Sequence, residues 1–263
     1  MEHRDTAGAI SLVTKREPIL RAVGTDGVGK RELVDQLVVS RSTVDRGIRE
    51  LESAGLLARS TEGYQRTLLG ELLLAEYDRF ASTAGTLLNG RELLAELPPD
   101  FELDPVVFED ATIVTASQHA PQQPISALCS VLDEGRWTQT VLPAVFPQVI
   151  DQWVALCDEE MARADIVLTD PVASTLVGSH TESLQQLLDE SRVALHQVET
   201  TPAYGLVVAE TESTATAGLV VLDDRGGARA FIETESDEAI SWVRDAINDH
   251  LMQSTPLSTP SPE

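Results

Sequence analysis

The chain has 263 residues with 19 Lys and Arg against 43 Asp and Glu, a formal net charge of −24 that repels phosphate at long range and argues against a nucleic-acid partner for the chain as a whole. Its two cysteines, Cys129 and Cys157, form no CxxC and are too few for a disulfide framework. No apolar run approaches the ~20 residues a membrane span needs, and Met-Glu-His-Arg-Asp does not read as a signal peptide, so no membrane association and a cytoplasmic location are expected.

The first predicted element is a helix over 14–23, with Ile19, Leu20 and Val23 on one face and turn chemistry at Gly24-Thr-Asp-Gly27. A second helix over 30–38 carries Leu33, Leu37 and Val38 at helical spacing. Val39-Ser40 makes a tight turn, and Ser40 can cap a third helix over 41–54. There Val44, Ile48 and Leu51 face inward, while Arg41, Ser42, Asp45, Arg46 and Arg49 point outward. A helix in the major groove reads bases with its N-terminal outward side chains, and the Arg fork meets guanine O6 and N7 together. Ser42, Thr43 and Arg46 are therefore expected nearest the bases, and Arg41 and Arg49 nearest phosphates. Gly47 costs about 1 kcal/mol relative to Ala inside a helix, which close approach of the second helix would explain.

Gly55 ends the third helix, and 56–59 with 64–67 read as paired strands around Ser60-Thr-Glu-Gly63, a wing whose Arg59 and Arg66 could grip the DNA backbone or minor groove. Residues 1–67 hold 11 basic and 10 acidic side chains, leaving 8 and 33 for the other 196, so the acid belongs to the C-terminal part. Gly24 to Lys30 satisfies part of a phosphate-binding loop, but Arg31 stands where a magnesium-holding hydroxyl is needed and no strand precedes it.

On Val39-Ser-Arg-Ser-Thr-Val-Asp-Arg46, Arg49-Glu-Leu-Glu-Ser-Ala-Gly-Leu56, Gly63-Tyr64, Thr67 and Gly70, the chain resembles the archaeal winged helix-turn-helix transcriptional regulators related to the methanogenesis regulator. The resemblance implies binding of double-stranded promoter DNA, usually as a homodimer.

Thr67 can cap a connecting helix over 68–88 whose Leu68, Leu69, Leu72, Leu73, Tyr77 and Phe80 make an apolar surface, expected to be a dimer seam; Pro98-Pro99-Asp100 marks the next boundary. From 108 onward, strand-like runs at 111–115, 140–142, 165–168, 193–195, 205–208, 218–222 and 230–232 alternate with helices over 124–134, 147–163, 181–190 and 237–251. That alternation predicts an α/β domain with parallel crossovers in its first half and an antiparallel meander in its second. The expected organisation is thus a mixed α+β and α/β chain: a winged helix over 1–67, connecting helices over 68–107, an acidic α/β effector or dimerisation domain with a mixed sheet over 108–252, and a disordered tail over 253–263. Thr138 to Pro143, Ala164 to Leu168, Tyr204 to Val208 and Ala239 to Val243 carry the resemblance into this domain and imply a phospholipase D-like architecture.

Lys15 and Lys30 are the only lysines, and the carboxylates are spread along the chain, a composition suited to molar salt, where the Debye length falls to about 3 Å. The phospholipase D chemistry needs a His-x-Lys pair that the domain lacks, no Gly-x-Ser-x-Gly elbow is present, and the five histidines show no metal spacing, so neither catalysis, cofactor nor metal is expected. A small-molecule effector of unknown identity would be met by Gln118, His119, Arg136 and Tyr204, polar or aromatic groups in places where α/β sheets bind ligands. Two other readings stand beside sequence-specific regulation: a winged-helix adapter for the transcription machinery, and a thiol sensor using Cys129 or Cys157.

Overall fold

The computed structural model describes residues 2–98, 101, 103–157, 162–199 and 202–257, which form two compact units, Met1–Ser82 and Thr83–Glu263. In the first unit α1 (Glu2–Ala22) precedes α2 (Lys30–Leu37) and α3 (Arg41–Ser53), and the hairpin β1 (Leu57–Ser60) and β2 (Gly63–Arg66) leads into α4 (Leu68–Asn89). Leu20, Val23, Leu33, Val44, Ile48 and Leu51 are fully buried among these helices. The first helix is longer than its expected span over 14–23, because Val13 of the preceding stretch is also buried in this core. Pro18 lies inside it, where a proline ordinarily signals a stop.

The turns follow from backbone chemistry. Ser40 Oγ accepts from the Thr43 amide at 3.2 Å and so caps α3. Thr67 Oγ1 accepts from the Gly70 amide at 3.1 Å to cap α4 and donates to the Gly55 carbonyl at 2.7 Å, clasping the end of α3 to the start of α4. Gly63 has φ +137, and a Cβ there would stand 2.4 Å from the Val28 carbonyl oxygen. That close approach lets Val28 and Tyr64 exchange backbone hydrogen bonds at 2.8 and 3.0 Å, adding the 24–30 segment to the wing.

In the second unit α5 (Arg91–Glu96) and a 3₁₀ turn over Pro105–Phe108 lead to β3 (Thr112–Thr115), α6 (Gln123–Glu134), β4 (Trp137–Leu142), α7 (Pro147–Leu156) and β5 (Arg163–Thr169). There follow α8 (Asp170–Ser179), α9 (Thr181–Asp189), β6 (Val193–Val198), β7 (Tyr204–Glu210), β8 (Ala215–Leu222), β9 (Ala228–Thr234), α10 (Asp237–Gln253) and β10 (Thr255–Pro256). One eight-stranded mixed sheet results, in the order β10-β6-β5-β4-β7-β8-β9-β3. Strand residues alternate between its two buried faces, as the period of two requires. Leu142, Ile166, Leu168, Val207 and Phe231 meet α6 to α9, while Val141, Val167, Leu206, Val208 and Ile232 meet α10, α5 and the 3₁₀ turn.

Four expectations are corrected. The first strand of the domain is not part of the parallel half: β3 pairs antiparallel with β9 at the far edge, Thr112 opposite Glu233. The helix expected over 147–163 ends at Leu156, and Arg163 already belongs to β5; residues 158–161 lie outside the described residues. The stretch 170–179, whose β-branched residues and Gly178 obscure a helical pattern, forms α8. The tail is ordered at its start: Thr255 and Pro256 pair with Gln197 and His196, and the Leu257 amide donates to the Leu195 carbonyl at 2.8 Å. The free edge of β6 offers those partners, which a Ser/Thr/Pro composition does not reveal. Residues 258–263 of that expected tail lie outside the described residues.

Candidate nucleic-acid interface

The cap at Ser40 fixes where α3 begins, and the buried Val44, Ile48 and Leu51 fix which way it faces. Arg41, Ser42, Thr43, Arg46 and Arg49 are consequently all exposed on its outer side. Ser40 Oγ lies 2.9 Å from Ser42 Oγ and 2.8 Å from Thr43 Oγ1, so three hydroxyls cluster at the N-terminal end of the helix. Arg49 Nε donates to the Asp45 carbonyl at 3.1 Å.

Carboxylates from the same unit stand between these cations. Lys30 Nζ meets Asp45 Oδ1 at 2.7 Å and lies 5.6 Å from the centre of the Tyr64 ring. The Lys30 ammonium is the main cause holding the Asp45 carboxyl below its ordinary range. The backbone of the 24–30 segment is stitched to the wing and its lysine is paired with Asp45. Glu50 accepts from Arg16 and Arg46 together, and these guanidiniums, Arg16 first, pull its carboxyl from an ordinary 4.5 to about 2. Neither Arg16 nor Glu50 was expected in the site, although the i,i+4 spacing of Arg46 and Glu50 is a sequence signal for their pairing.

The two wing arginines separate. Arg59 is 74 % exposed, pairs with Glu52 at 3.1 Å and stands 5.9 Å over the Tyr64 ring. Arg66 does not project as expected. Its Nε donates to Glu71 at 2.7 Å, an Nη reaches the Leu20 carbonyl at 3.5 Å, and its side chain is 17 % exposed. Arg66 shares a strand face with the buried Tyr64, two residues away, which is why it turns inward.

The four residues expected to meet an effector do not converge. Arg136 precedes β4 and pairs with Glu212 at 2.5 Å, whereas Tyr204 opens β7 at the opposite end of the sheet and packs against Phe101 with the rings tilted by 51° and their centres 5.6 Å apart. Gln118 and His119 are exposed beyond β3, a strand three positions from β7 and so about 14 Å from it across the sheet. A hollow of about 540 Å³ lies elsewhere, lined by Asp110, Ser130, Glu134, Glu233, Glu235 and their neighbours. Burial, with Glu134 and Glu235 nearby, raises the Glu233 carboxyl above its ordinary range. Burial likewise pushes the Cys129 thiol up, the opposite of what a reactive sensor thiol needs. Among the described residues no group of three or more His, Cys, Asp or Glu is placed to hold a metal, and no helix is long and apolar enough to cross a membrane.

Two family models match the chain. Residues 121–253, just over half of it, match the middle domain of the methanogenesis regulatory protein FilR1, and residues 4–87 match the HVO_A0261 N-terminal domain. The chain belongs to the FilR1 family of archaeal transcriptional regulators. No curated protein matches it over its sequence. Among solved structures, this regulator is similar to TrmBL2, an archaeal chromatin protein, at 12% identity and TM-score 0.44 over 88% of each chain. It is also similar to NucT from Helicobacter pylori at 6% identity and TM-score 0.45, over 56% of this chain and 98% of that one. The phospholipase D family member Nuc from Salmonella typhimurium aligns at 9% identity and TM-score 0.42, over 57% and 99%.

Proposed function

We propose that this regulator binds promoter DNA sequence-specifically, as a homodimer, with α3 in the major groove and the wing against the adjacent backbone. The observation that carries the reading is the outer face of α3, where Arg41, Ser42, Thr43, Arg46 and Arg49 are exposed together, with Arg59 exposed on the wing. The first two turns of a helix so placed meet base edges. Ser42, Thr43 and Arg46 are the base-facing set, with Arg41, Arg49 and Arg59 on the phosphates. Arg66 supports the fold and is left out of the interface.

The homodimer reading rests on an apolar groove of about 270 Å³ between α1 and α4, lined by Ala9, Ile10, Val13, Leu73, Tyr77 and Phe80. Ile10 is 58 % exposed and Phe80 69 %. A groove with a protruding aromatic at its rim offers one patch both a knob and a socket, the kind of surface a two-fold interface uses. Control by a small ligand is not part of the proposal, since Gln118, His119, Arg136 and Tyr204 form no common site.

The test is genome-wide immunoprecipitation of the tagged regulator from its own cells beside the Arg46→Ala variant. Sharp peaks sharing a pseudo-palindrome, lost in the variant, are the expected result. Broad promoter signal unchanged by the variant would instead mean recruitment through protein contacts.

A further inference from the structure

At Gly47 the third helix is approached not by the second helix, as expected, but by α1, so closely that a Cβ would stand 2.3 Å from Ile19 Cδ1 and 3.4 Å from Arg16 Cδ. The absent side chain lets the Arg16 stem lie across α3, where that side chain is only 9 % exposed. At the end of the stem Arg16 Nε donates to Glu50 Oε2 at 2.8 Å, while Glu50 Oε1 accepts from Arg46 Nε at 3.0 Å. One carboxylate therefore links a buried guanidinium on α1 to an exposed one on the outer face of α3. A guanidinium has a donor edge at Nε and a second, forked edge at Nη1 and Nη2. Glu50 engages Arg46 through Nε, which leaves the outer fork of a 69 % exposed side chain for a two-oxygen or oxygen-and-nitrogen acceptor such as guanine O6 and N7.

We propose that Glu50 is a positioning residue for base reading: anchored by Arg16, it holds Arg46 in the orientation that turns its outer fork to a guanine. This rests on the reading of α3 as the base-contacting helix. Two opposite effects follow. Prior ordering of Arg46 removes rotamer freedom before DNA arrives and so sharpens discrimination. A carboxylate near the phosphates weakens binding to any duplex alike. Glu50 thus exchanges general affinity for selectivity, whereas a residue serving only the fold would leave the guanine preference unchanged.

The experiment uses the full-length protein and an operator selected from a pool of random duplexes, with the guanine read by Arg46 identified as the position whose preference is lost in Arg46→Ala. Affinities of the wild type, Glu50→Gln and Arg16→Met are then measured for the operator, for the same duplex with that guanine changed to adenine, and for an unrelated duplex. In Glu50→Gln the guanine preference is expected to fall about tenfold, while affinity for the unrelated duplex holds or rises. Arg16→Met keeps an apolar stem over Gly47 without a buried unpaired charge, and should lose part of the same preference while keeping its far-ultraviolet circular dichroism. Unchanged preference in both variants would overturn the positioning role alone. Loss of affinity for all three duplexes in parallel would also overturn it, as the mark of a general structural defect. A wild type without any base preference would overturn the reading of α3 together with the role of Glu50.

Discussion

Gly63 shows how one residue sets the shape of the DNA-facing unit. Alanine there would meet both a left-handed φ of +137 and the Val28 oxygen at 2.4 Å. Strain and overlap together should cost about 2–4 kcal/mol, read as a lower melting temperature and loss of exchange protection at the Val28 and Tyr64 amides. Glu50 carries a pH signature. Its folded pKa is depressed from 4.5 to about 2, so its contribution to stability is complete above about 4.5 and is lost as the pH falls towards 2. Thermal melts between those limits should fall steeply for the wild type and less steeply for Glu50→Gln. At this scale the sequence was readable where neighbours decide, as in the caps at Ser40 and Thr67. It misled at Arg66, although the two-residue period from the buried Tyr64 already pointed that side chain inward. Arg16 could not be found at all, because its partner is 34 residues away and is reached only through the gap at Gly47.

Among the elements, helices with a clean apolar face and strands of continuous apolar residues were legible, because period and burial coincide in them. Placement was not. The Thr-Ile-Val-Thr of β3 announces a strand but not its neighbour, and only the assembled sheet shows that β9 is its partner. The same holds for β10, two residues without an apolar pattern of their own. With β10 paired to β6, hydrogen exchange should show the Leu257 amide protected by its bond to Leu195, whereas a free tail would exchange at the rate of an open peptide. The clasp at Thr67 yields a second expectation. Thr67→Ala removes the cap of α4 and the bond to Gly55, and should destabilise the first unit by about 1–2 kcal/mol in chemical denaturation.

Across the whole molecule, charge and association govern behaviour. With 30 acidic and 7 basic side chains from residue 83 onward, self-repulsion in the second unit depends on screening. Melting temperature should therefore fall as salt is lowered from about 1 M to about 0.1 M, over which the Debye length grows from about 3 to about 10 Å. Phe80→Glu places a charge at the rim of the α1–α4 groove. Sedimentation should then show a dimer for the wild type and a monomer for the variant with unchanged circular dichroism; a dimer in both would remove that groove as the seam.

The antiparallel edge pair β3 and β9 also sets a timetable. Thr112 leaves the ribosome more than a hundred residues before Glu233, its partner. At about 5–20 residues per second, β3 waits roughly 6–24 s with both of its edges open. Glu109 and Asp110 stand one residue ahead of the strand, two negative charges of the kind that discourage other chains from pairing with an open edge. A strand made long before its partner is guarded, while it waits, by its own flanking acid.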